Sequence, residues 1–379
     1  MPSISNLLAD KQWFIVFLVF IIAFIIQLIY YLGIFLRFVI YRKKFPAPDH
    51  APVSVIICAR NEAENLEQFL PSVLAQDYPE YEVIVVDDCS TDDTDMVLKK
   101  YLAQYPLLRT SIIKEDKKFS HGKKLAVTIG IKAAKHDRLL FIDADCKPES
   151  NQWLRLMSEP FSDTVSIVLG YGGFFPQPGL LNKYIRYDTL MIALQYFSFA
   201  ICRMPYMGVG RNLAYKRSLF YAGKGFSSHF HLASGDDDLF VNEHATKTNT
   251  AIVSDPDSHT RSAPKQSFER WSYQKKRHFS TSKLYKPGHK FLLGTEPFTR
   301  FLFYAAFIGL LFFTPARLIV LGVFLIRLIV QLIVIKKTMI RLNEKNLLVI
   351  SSLFDLLSLL INSGLFLSSR TRPANYQWK

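Results

Sequence analysis

Carboxylates at two places in this chain have the type and spacing to do chemistry. The apolar run Leu139-Leu140-Phe141-Ile142 ends on Asp143-Ala144-Asp145. Residues two apart on an extended chain face the same side, and two carboxylates so placed repel unless a cation lies near them. Mg²⁺ and Mn²⁺ take oxygen ligands and commonly complete their shells with substrate phosphates. The plainer alternative is a pair of solvated loop aspartates, or a cap for the next helix. The second place is Gly235-Asp236-Asp237-Asp238. Three adjacent carboxylates are costly to crowd together unless some serve a site. One of them could take a proton from a hydroxyl as a general base; the alternative is an acidic first helical turn.

The elements that position these residues follow from the hydrophobic pattern. Short β-branched runs at Val53–Cys58, Glu82–Asp87, Thr110–Ile113 and Arg138–Asp143 read as strands. Helical spacing occupies Asn61–Leu74, Thr91–Tyr105 and Gly122–Ala134. This alternation predicts an α/β fold with a mostly parallel, buried sheet. Ligands of such sheets bind outside the carboxyl ends of the strands. Those ends are Ala59-Arg60-Asn61-Glu62, Asp87-Asp88 and Asp143-Ala144-Asp145. The turn after the first strand has no glycine, which excludes a dinucleotide fingerprint, and no P-loop motif is present.

The two ends of the chain read as membrane. Trp13–Leu36 is 24 residues without a charge. As a helix it spans about 36 Å, against a bilayer core of about 30 Å. It is too long for a signal-peptide core and lacks a cleavage site. Arg37, Arg42, Lys43 and Lys44 follow it and place the next segment in the cytosol. Three more apolar stretches, Phe298–Phe313, Leu318–Ile335 and Leu347–Leu367, close the chain. Thr314-Pro315-Ala316-Arg317 forms a tight hairpin between the first two, and Lys336, Lys337, Arg341 and Lys345 repeat the cytosolic signature. Four full spans would leave the basic tail outside, so one segment is expected to be interfacial or re-entrant. The divisions are an anchor over 1–44, a cytosolic domain over 45–296 entered through the linker prolines Pro46, Pro48 and Pro52, and a membrane part over 297–379.

The chain has 379 residues and a formal net charge of +14. Its mean hydropathy is +0.13, above that of an ordinary soluble domain. Cys58, Cys89, Cys146 and Cys202 form no C-x-x-C pair, which argues against a zinc ribbon or redox motif and reads as reduced cytosolic thiols. The charge surplus is local: eight Lys and Arg lie between Lys265 and Lys290 against the single acid Glu269. Trp271, Tyr273, Phe279 and Tyr285 interleave with them. Such a run fits a membrane-surface helix or a diphosphate clamp. No recognition motif accompanies it, so nucleic acid is not an expected partner. A transporter is excluded by the large soluble centre.

Taken in order, these segments resemble a membrane-bound family 2 glycosyltransferase of the GT-A fold, of the kind that builds bacterial polysaccharides and glycolipids. VSVIICARNE (53–62) resembles its opening strand and nucleotide loop, and VIVVDDCSTDDT (83–94) its D-D-x-S-x-D-x-T segment. HGKKLA (121–126) resembles the G-K-x-x-A helix start, and Asp143-Ala144-Asp145 matches the D-x-D. MGVGRNLAYKR (207–217) resembles an acceptor-side loop, Gly235-Asp236-Asp237 the base motif, and Gln274-Lys275-Lys276-Arg277-His278 the Q-x-x-R-W. His278 stands where tryptophan is usual, and that tryptophan marks processive synthases, so the departure weakens the case for a polymer product.

The resemblance implies an inverting transfer from a nucleotide sugar, expected to be a UDP-sugar, to a hydroxyl of a lipid carrier, glycolipid or growing glycan. Ala59, Arg60, Glu62, Asp87, Asp88, Lys123 and Asp143 would hold the donor. Asp145 and Asp143 would bind Mg²⁺ or Mn²⁺. Asp237 would be the base. Gln274, Arg277, His278, Gly210 and Asn212 would meet the diphosphate or acceptor. On one helix Gln274 and Arg277 share a face, which turns Lys275 and Lys276 toward lipid headgroups. Asp238 is assigned to the helix start. The expected location is the bacterial inner membrane, with the catalytic domain in the cytosol. A processive polysaccharide synthase and a nucleotide-binding membrane scaffold without catalysis are the alternatives.

Overall fold

The computed structural model describes residues 11–42, 50–114, 122–313 and 317–371. Lys43, Lys44, Pro46, Pro48, His121 and the 314–316 hairpin lie outside them. The central sheet has seven strands in the order β3-β2-β1-β4-β8-β6-β9. They are β1 (Val53–Ala59), β2 (Tyr81–Asp88), β3 (Leu108–Ile113), β4 (Arg138–Phe141), β6 (Ile167–Leu169), β8 (Leu213–Lys216) and β9 (Thr250–Ile252). The first four pair in parallel, with Ala59 opposite Asp87 and Val53 opposite Arg138. β8 runs antiparallel between β4 and β6. Every residue of β1 is buried, as a sheet covered on both faces requires. A second sheet orders β5 (Cys146–Pro148), β10 (Thr260–Ser262) and β7 (Gly172–Phe174).

Because β1, β2 and β4 are parallel, their carboxyl ends fall on one edge and bring residues 59–62, 87–88 and 143–145 together. The pair Asp143 and Asp145 is not on the strand, however. β4 stops at Phe141, and the backbone N–H of Cys146 donates to the Asp143 carbonyl at 3.0 Å. A four-residue turn, rather than strand alternation, brings the two carboxylates to one place.

The helices are α1 (Lys11–Leu28), α2 (Leu36–Ile40), α3 (Ala63–Leu74), α4 (Thr94–Leu102), α5 (Lys123–Ala133), α6 (Trp153–Ser158), α7 (Leu180–Ile201), α8 (Arg217–Ala222), α9 (Asp238–His244), α10 (Phe268–Thr281), α11 (Pro287–Phe313), α12 (Arg317–Arg341) and α13 (Leu348–Thr371). α1 and α2 are joined without a break by the π-helical Ile29–Phe35. Among the described residues three stretches are long and apolar enough to cross a membrane: Gln12–Ile40, Arg317–Arg341 and Leu348–Ser369.

Packing separates these helices. α11 runs antiparallel to α1, with Phe303 stacked on Phe20 and Leu292 accepting from the Tyr30 hydroxyl. α12 returns beside them, and Phe324 stacks on Phe307. α13 instead follows helices of the central domain. Phe354 meets Tyr184 and Tyr187 of α7, the Asn362 amide donates to Asp188, and Phe366 meets Phe279 of α10.

Several polar side chains inside this assembly pair with one another. Asp355 accepts from Arg300 at 2.6 Å, Arg327 at 3.1 Å and the Tyr304 hydroxyl at 2.7 Å. Arg327 also donates to Gln27, whose amide donates to Thr299. In an apolar medium such groups persist only when paired.

The turn between α12 and α13 docks on the central domain through Glu344. This fully buried carboxylate accepts from Arg186 of α7 at 2.6 and 2.8 Å, from Arg261 of β10, and from the Tyr171 hydroxyl at 3.0 Å. Arg341, expected as a cytosolic surface charge, donates to Ser254 and to the Phe38 carbonyl. Removing one member of a buried ion pair leaves uncompensated charge, at a cost of about 3–5 kcal/mol. Glu344→Ala is therefore expected to lower the thermal midpoint in detergent markedly, with Glu344→Gln less damaging. An unchanged midpoint for Glu344→Ala would show that this turn does not hold the two parts together.

Candidate active site

The loops after β1 and β2 are stitched together before any ligand arrives. The N–H of Asn61 donates to Ser90, that of Glu62 to Thr94, and that of Ala63 to Asp92. Thr91 returns a bond to the Asn61 side chain. This leaves Arg60 and Glu62 half-buried at the rim, over the buried Asp87 and Asp88. The Asp87 carboxylate accepts from the Ser90 N–H. Burial, with Asp145 and Asp143 nearby, raises the Glu62 carboxyl above its ordinary range. The rim of the β1 loop therefore borders the aspartate turn, with Ala59 closing β1 beneath it.

Lys123 is the hub of the site. Its ammonium lies 2.8 Å from Asp143 and 3.2 Å from Asp236. Burial works against its charge, yet Asp143, Asp236 and Asp237 hold its pKa well above the usual lysine range. In return, and also against burial, Lys123 lowers the Asp143 carboxyl, helped by Arg211 and Arg277. The next residue, Lys124, points the other way. It is buried and donates to the carbonyls of His229 and Leu232, which pins the loop leading to Gly235. Burial pulls its pKa down to about 8.

Gly235 has φ +107°, where a side chain is strained, and an added Cβ would fall 2.6 Å from Leu239. That turn delivers Asp237 to the start of α9. One Asp237 oxygen accepts from the Gly210 N–H and the other from the Asp238 N–H, both at 2.7 Å. Burial, then repulsion from Asp236 and Asp238, raises its carboxyl to about 7. Asp238 has another task. It is buried and accepts from Thr281 and from the Tyr285 hydroxyl, tying α9 to the end of α10.

Among the described residues, a group that could hold a metal is Asp143, Asp145 and Cys146, whose ligand atoms lie within 4.8 Å of one another. Burial, with Asp145 and Asp143 beside it, pushes the Cys146 thiol well above its normal range. It stays a neutral thiol, leaving two hard carboxylates as the donor set. Such a set fits Mg²⁺ or Mn²⁺ rather than a thiolate-seeking metal.

Lys123, Asp143, Gly210 and Asp237 open into a cavity of about 550 Å³, which Gln274, Arg277 and His278 of α10 also line. Burial, together with Arg277, Arg211, Lys275 and Lys123, holds the His278 imidazole well below its ordinary pKa, so it is neutral. The Arg277 and Arg211 Nε atoms have no hydrogen-bond partner among the described residues, and such buried donors suit an anionic guest.

Two expectations are corrected by the geometry. The Asn212 side chain does not reach the cavity: it is fully buried, accepting from Trp153 and donating to the carbonyls of Tyr171 and Ser258. It supports the loop that carries Gly210. Lys275 does not face headgroups. It is buried and its ammonium meets Asp188 of α7 at 2.5 Å, because the contact of Trp271 with Tyr184 one turn earlier brings this stretch of α10 against α7. Arg211, Asp236 and Asp188 were not singled out as site residues. Arg211 carried a usable signal, as the one cation in Gly208-Val209-Gly210-Arg211. Asp188 carried none, since its partner is 87 residues away.

Residues 54–222 match the family model described as glycosyl transferase family 2. The glycosyltransferase AglE of Haloferax volcanii is 36% identical over 139 residues, covering 36% of this chain and 44% of its own. The poly-beta-1,6-N-acetyl-D-glucosamine synthase of Staphylococcus epidermidis is 30% identical over 93 residues, covering 24% of this chain and 21% of its own. The chain thus spans less than half the length of these curated relatives. Among solved structures, the mannosyltransferase PcManGT from Pyrobaculum calidifontis, in complex with GDP-Man and Mn²⁺, superposes with a TM-score of 0.57 at 22% identity. That superposition covers 90% of this chain and 98% of the other. Residues 54–222 are thus similar to a family 2 glycosyltransferase domain, within an α/β domain of GT-A-like fold flanked by apolar helices.

The Lys275–Asp188 pair is directly testable. Lys275→Met strands a buried carboxylate and should destabilise the protein by about 3–5 kcal/mol. Adding Asp188→Asn should restore most of that loss in a thermal or urea melt. Additive losses would mean that the two side chains do not interact.

Proposed function

We propose that this protein transfers a sugar from a nucleotide-sugar donor to a hydroxyl of a membrane-associated acceptor, with inversion at the anomeric carbon. The observation that carries this reading is Asp237. Its carboxyl is held at about 7 on the wall of a cavity that also contains the Lys123–Asp143 pair. A base poised near neutrality is efficient at taking a hydroxyl proton.

The residues divide the work by position. Ala59, Arg60, Glu62, Asp87 and Asp88 border the nucleoside end. Asp145 and Asp143 would hold Mg²⁺ or Mn²⁺, which when bound neutralises diphosphate charge. Lys123 keeps Asp143 ionised and oriented. Arg277, Arg211 and the neutral His278 offer donors to the leaving diphosphate, where negative charge develops, and Gln274 lies beside them. Asp237 accepts the acceptor's proton as its oxygen attacks. A single displacement from the face opposite the leaving group inverts the anomeric carbon. For the donor we favour a UDP-sugar, from the family resemblance alone. The basic residues after α1 and α12 favour a cytosolic domain on the inner membrane. The packing of α13 along α7 and α10 favours a helix lying at the membrane surface.

Two outcomes test the reading. The base must be ionised to work, so kcat/KM should rise with pH through about 7 and level off above it. Asp237→Asn should remove that limb and cut transfer by about 10²- to 10⁴-fold while donor binding persists. A flat profile across that range would dismiss Asp237 as the base. Chelation should abolish transfer, Mn²⁺ or Mg²⁺ should restore it, and Asp145→Asn should raise the metal concentration needed. Full activity in excess chelator would remove the metal from the reaction.

A further inference from the structure

A second, much smaller cavity of about 20 Å³ adjoins the reacting groups from the side of the sheet. Ile56 of β1, Phe141 of β4 and Leu213 of β8 give it apolar walls, while Lys123, Asp236, Asp237 and Tyr215 give it polar ones. Tyr215 of β8 is 1% exposed, and its hydroxyl has no hydrogen-bond partner among the described residues. The ring is held in place: it stacks on Phe141 and packs against Phe240, with centroids 4.4 and 4.3 Å away. The groups whose charge acts on the hydroxyl are Asp236, Cys58, Asp237 and Lys123, and all four line this cavity. The hydroxyl is therefore aimed into it. Burial, and then Asp236, holds its pKa well above the usual tyrosine range, so it stays a neutral donor.

We propose that this cavity binds one internal water, which accepts from the Tyr215 hydroxyl and donates to Asp236, making Tyr215 a positioning residue for the base Asp237. The second half of this inference rests on the transfer reaction proposed above. A single water needs about 10–15 Å³ and two to four polar partners, whereas cavities lined only by hydrocarbon stay dry. Both requirements are met here, and a buried hydroxyl left without a partner would be costly. The consequence for the base runs through Asp236, the charge that acts on Asp237 most strongly after burial. Two carboxyl groups so close titrate as a pair, and a donor to either one favours the ionised pair. The other titratable groups facing the pair are Lys123 with its partner Asp143, Lys124 of α5, Cys58 of β1, His229, Asp238 and Tyr285. The variants below leave all of them in place.

The test uses the full chain in lipid nanodiscs with three readouts. In the first, a density map at a resolution that shows ordered water should place one within hydrogen-bonding distance of Tyr215 Oη and Asp236. A cavity without density would overturn the site. In the second, Tyr215→Phe should lower the thermal midpoint, because a bond to the water is lost. If the hydroxyl had no guest, the same change would remove an unpartnered donor and raise the midpoint, which would also overturn the site. Val127→Ile, on the α5 wall of the cavity, adds one carbon beside the water and should lower the midpoint too; a dry cavity would instead gain stability from filling. In the third, transfer is followed against pH with radiolabelled UDP-glucose, UDP-N-acetylglucosamine and GDP-mannose and membrane lipids as acceptors. Tyr215→Phe should move the rising limb of kcat/KM to higher pH by about 0.5–1 unit, with the donor KM unchanged. An unmoved limb would overturn the positioning role even where the water is seen. A wild-type profile without a limb would overturn that role together with Asp237 as the base. No transfer from any of these donors would count against the transfer reaction, and the map and the midpoints would still decide the site.

Discussion

One ammonium group holds four separate pieces of chain in a working arrangement. Lys123 begins α5, Asp143 follows β4, and Asp236 and Asp237 precede α9, while Gly210 lies against both Lys123 and Asp237. Without the cation, three carboxylates in so small a space would repel and be driven to protonate. With it, Asp143 stays ionised for cation binding while Asp237, farther from the lysine and flanked by acids, is left at about 7. Two carboxyl groups with separated affinities are what a reaction needing both an anionic ligand and a proton acceptor requires. The stitched loops, the pinned Gly235 turn and the bond between Gly210 and Asp237 all serve to keep that spacing.

Much of this could be read from residue order, and the reasons differ by element. The parallel strands were legible because both faces are buried and the runs are continuously apolar, as in Val53-Ser54-Val55-Ile56-Ile57. The strand-end carboxylates were legible because a parallel sheet must gather its carboxyl ends. What escaped was set by contacts distant in sequence. α7 is buried nearly all round and carries little periodicity, so nothing marked Tyr184, Arg186 and Asp188 as its working residues. Lys275 looked like a surface charge because its partner sits on that helix. Asn212 has the right chemistry for a ligand, yet Trp153, Tyr171 and Ser258 use all its capacity. The aspartate turn was placed correctly along the chain, but its geometry depends on a backbone bond that no side-chain pattern reveals.

The apolar helices contribute to the site as well as to anchoring. α10 carries Arg277 and His278 toward the cavity and is clamped by Asp238 through Thr281 and Tyr285 on one side and by Asp188 through Lys275 on the other. α13 packs on that same helix through Phe366. Glu344 anchors the start of α13 to α7 and β10. The positions of Arg277 and His278 are thus tied to the apolar helices through packed side chains and buried ion pairs.

The bond between Gln27 and Arg327 joins residues 300 positions apart. At ordinary rates of synthesis the first helix waits about 15 to 60 s for that partner to be made. During this interval the intervening α/β domain has time to collapse, whereas the Gln27 amide waits for Glu296, Thr299 and Arg327 to be made. The helices can therefore assemble fully only after the central α/β domain has been made, and the cavity wall supplied by α11 and α13 comes with them.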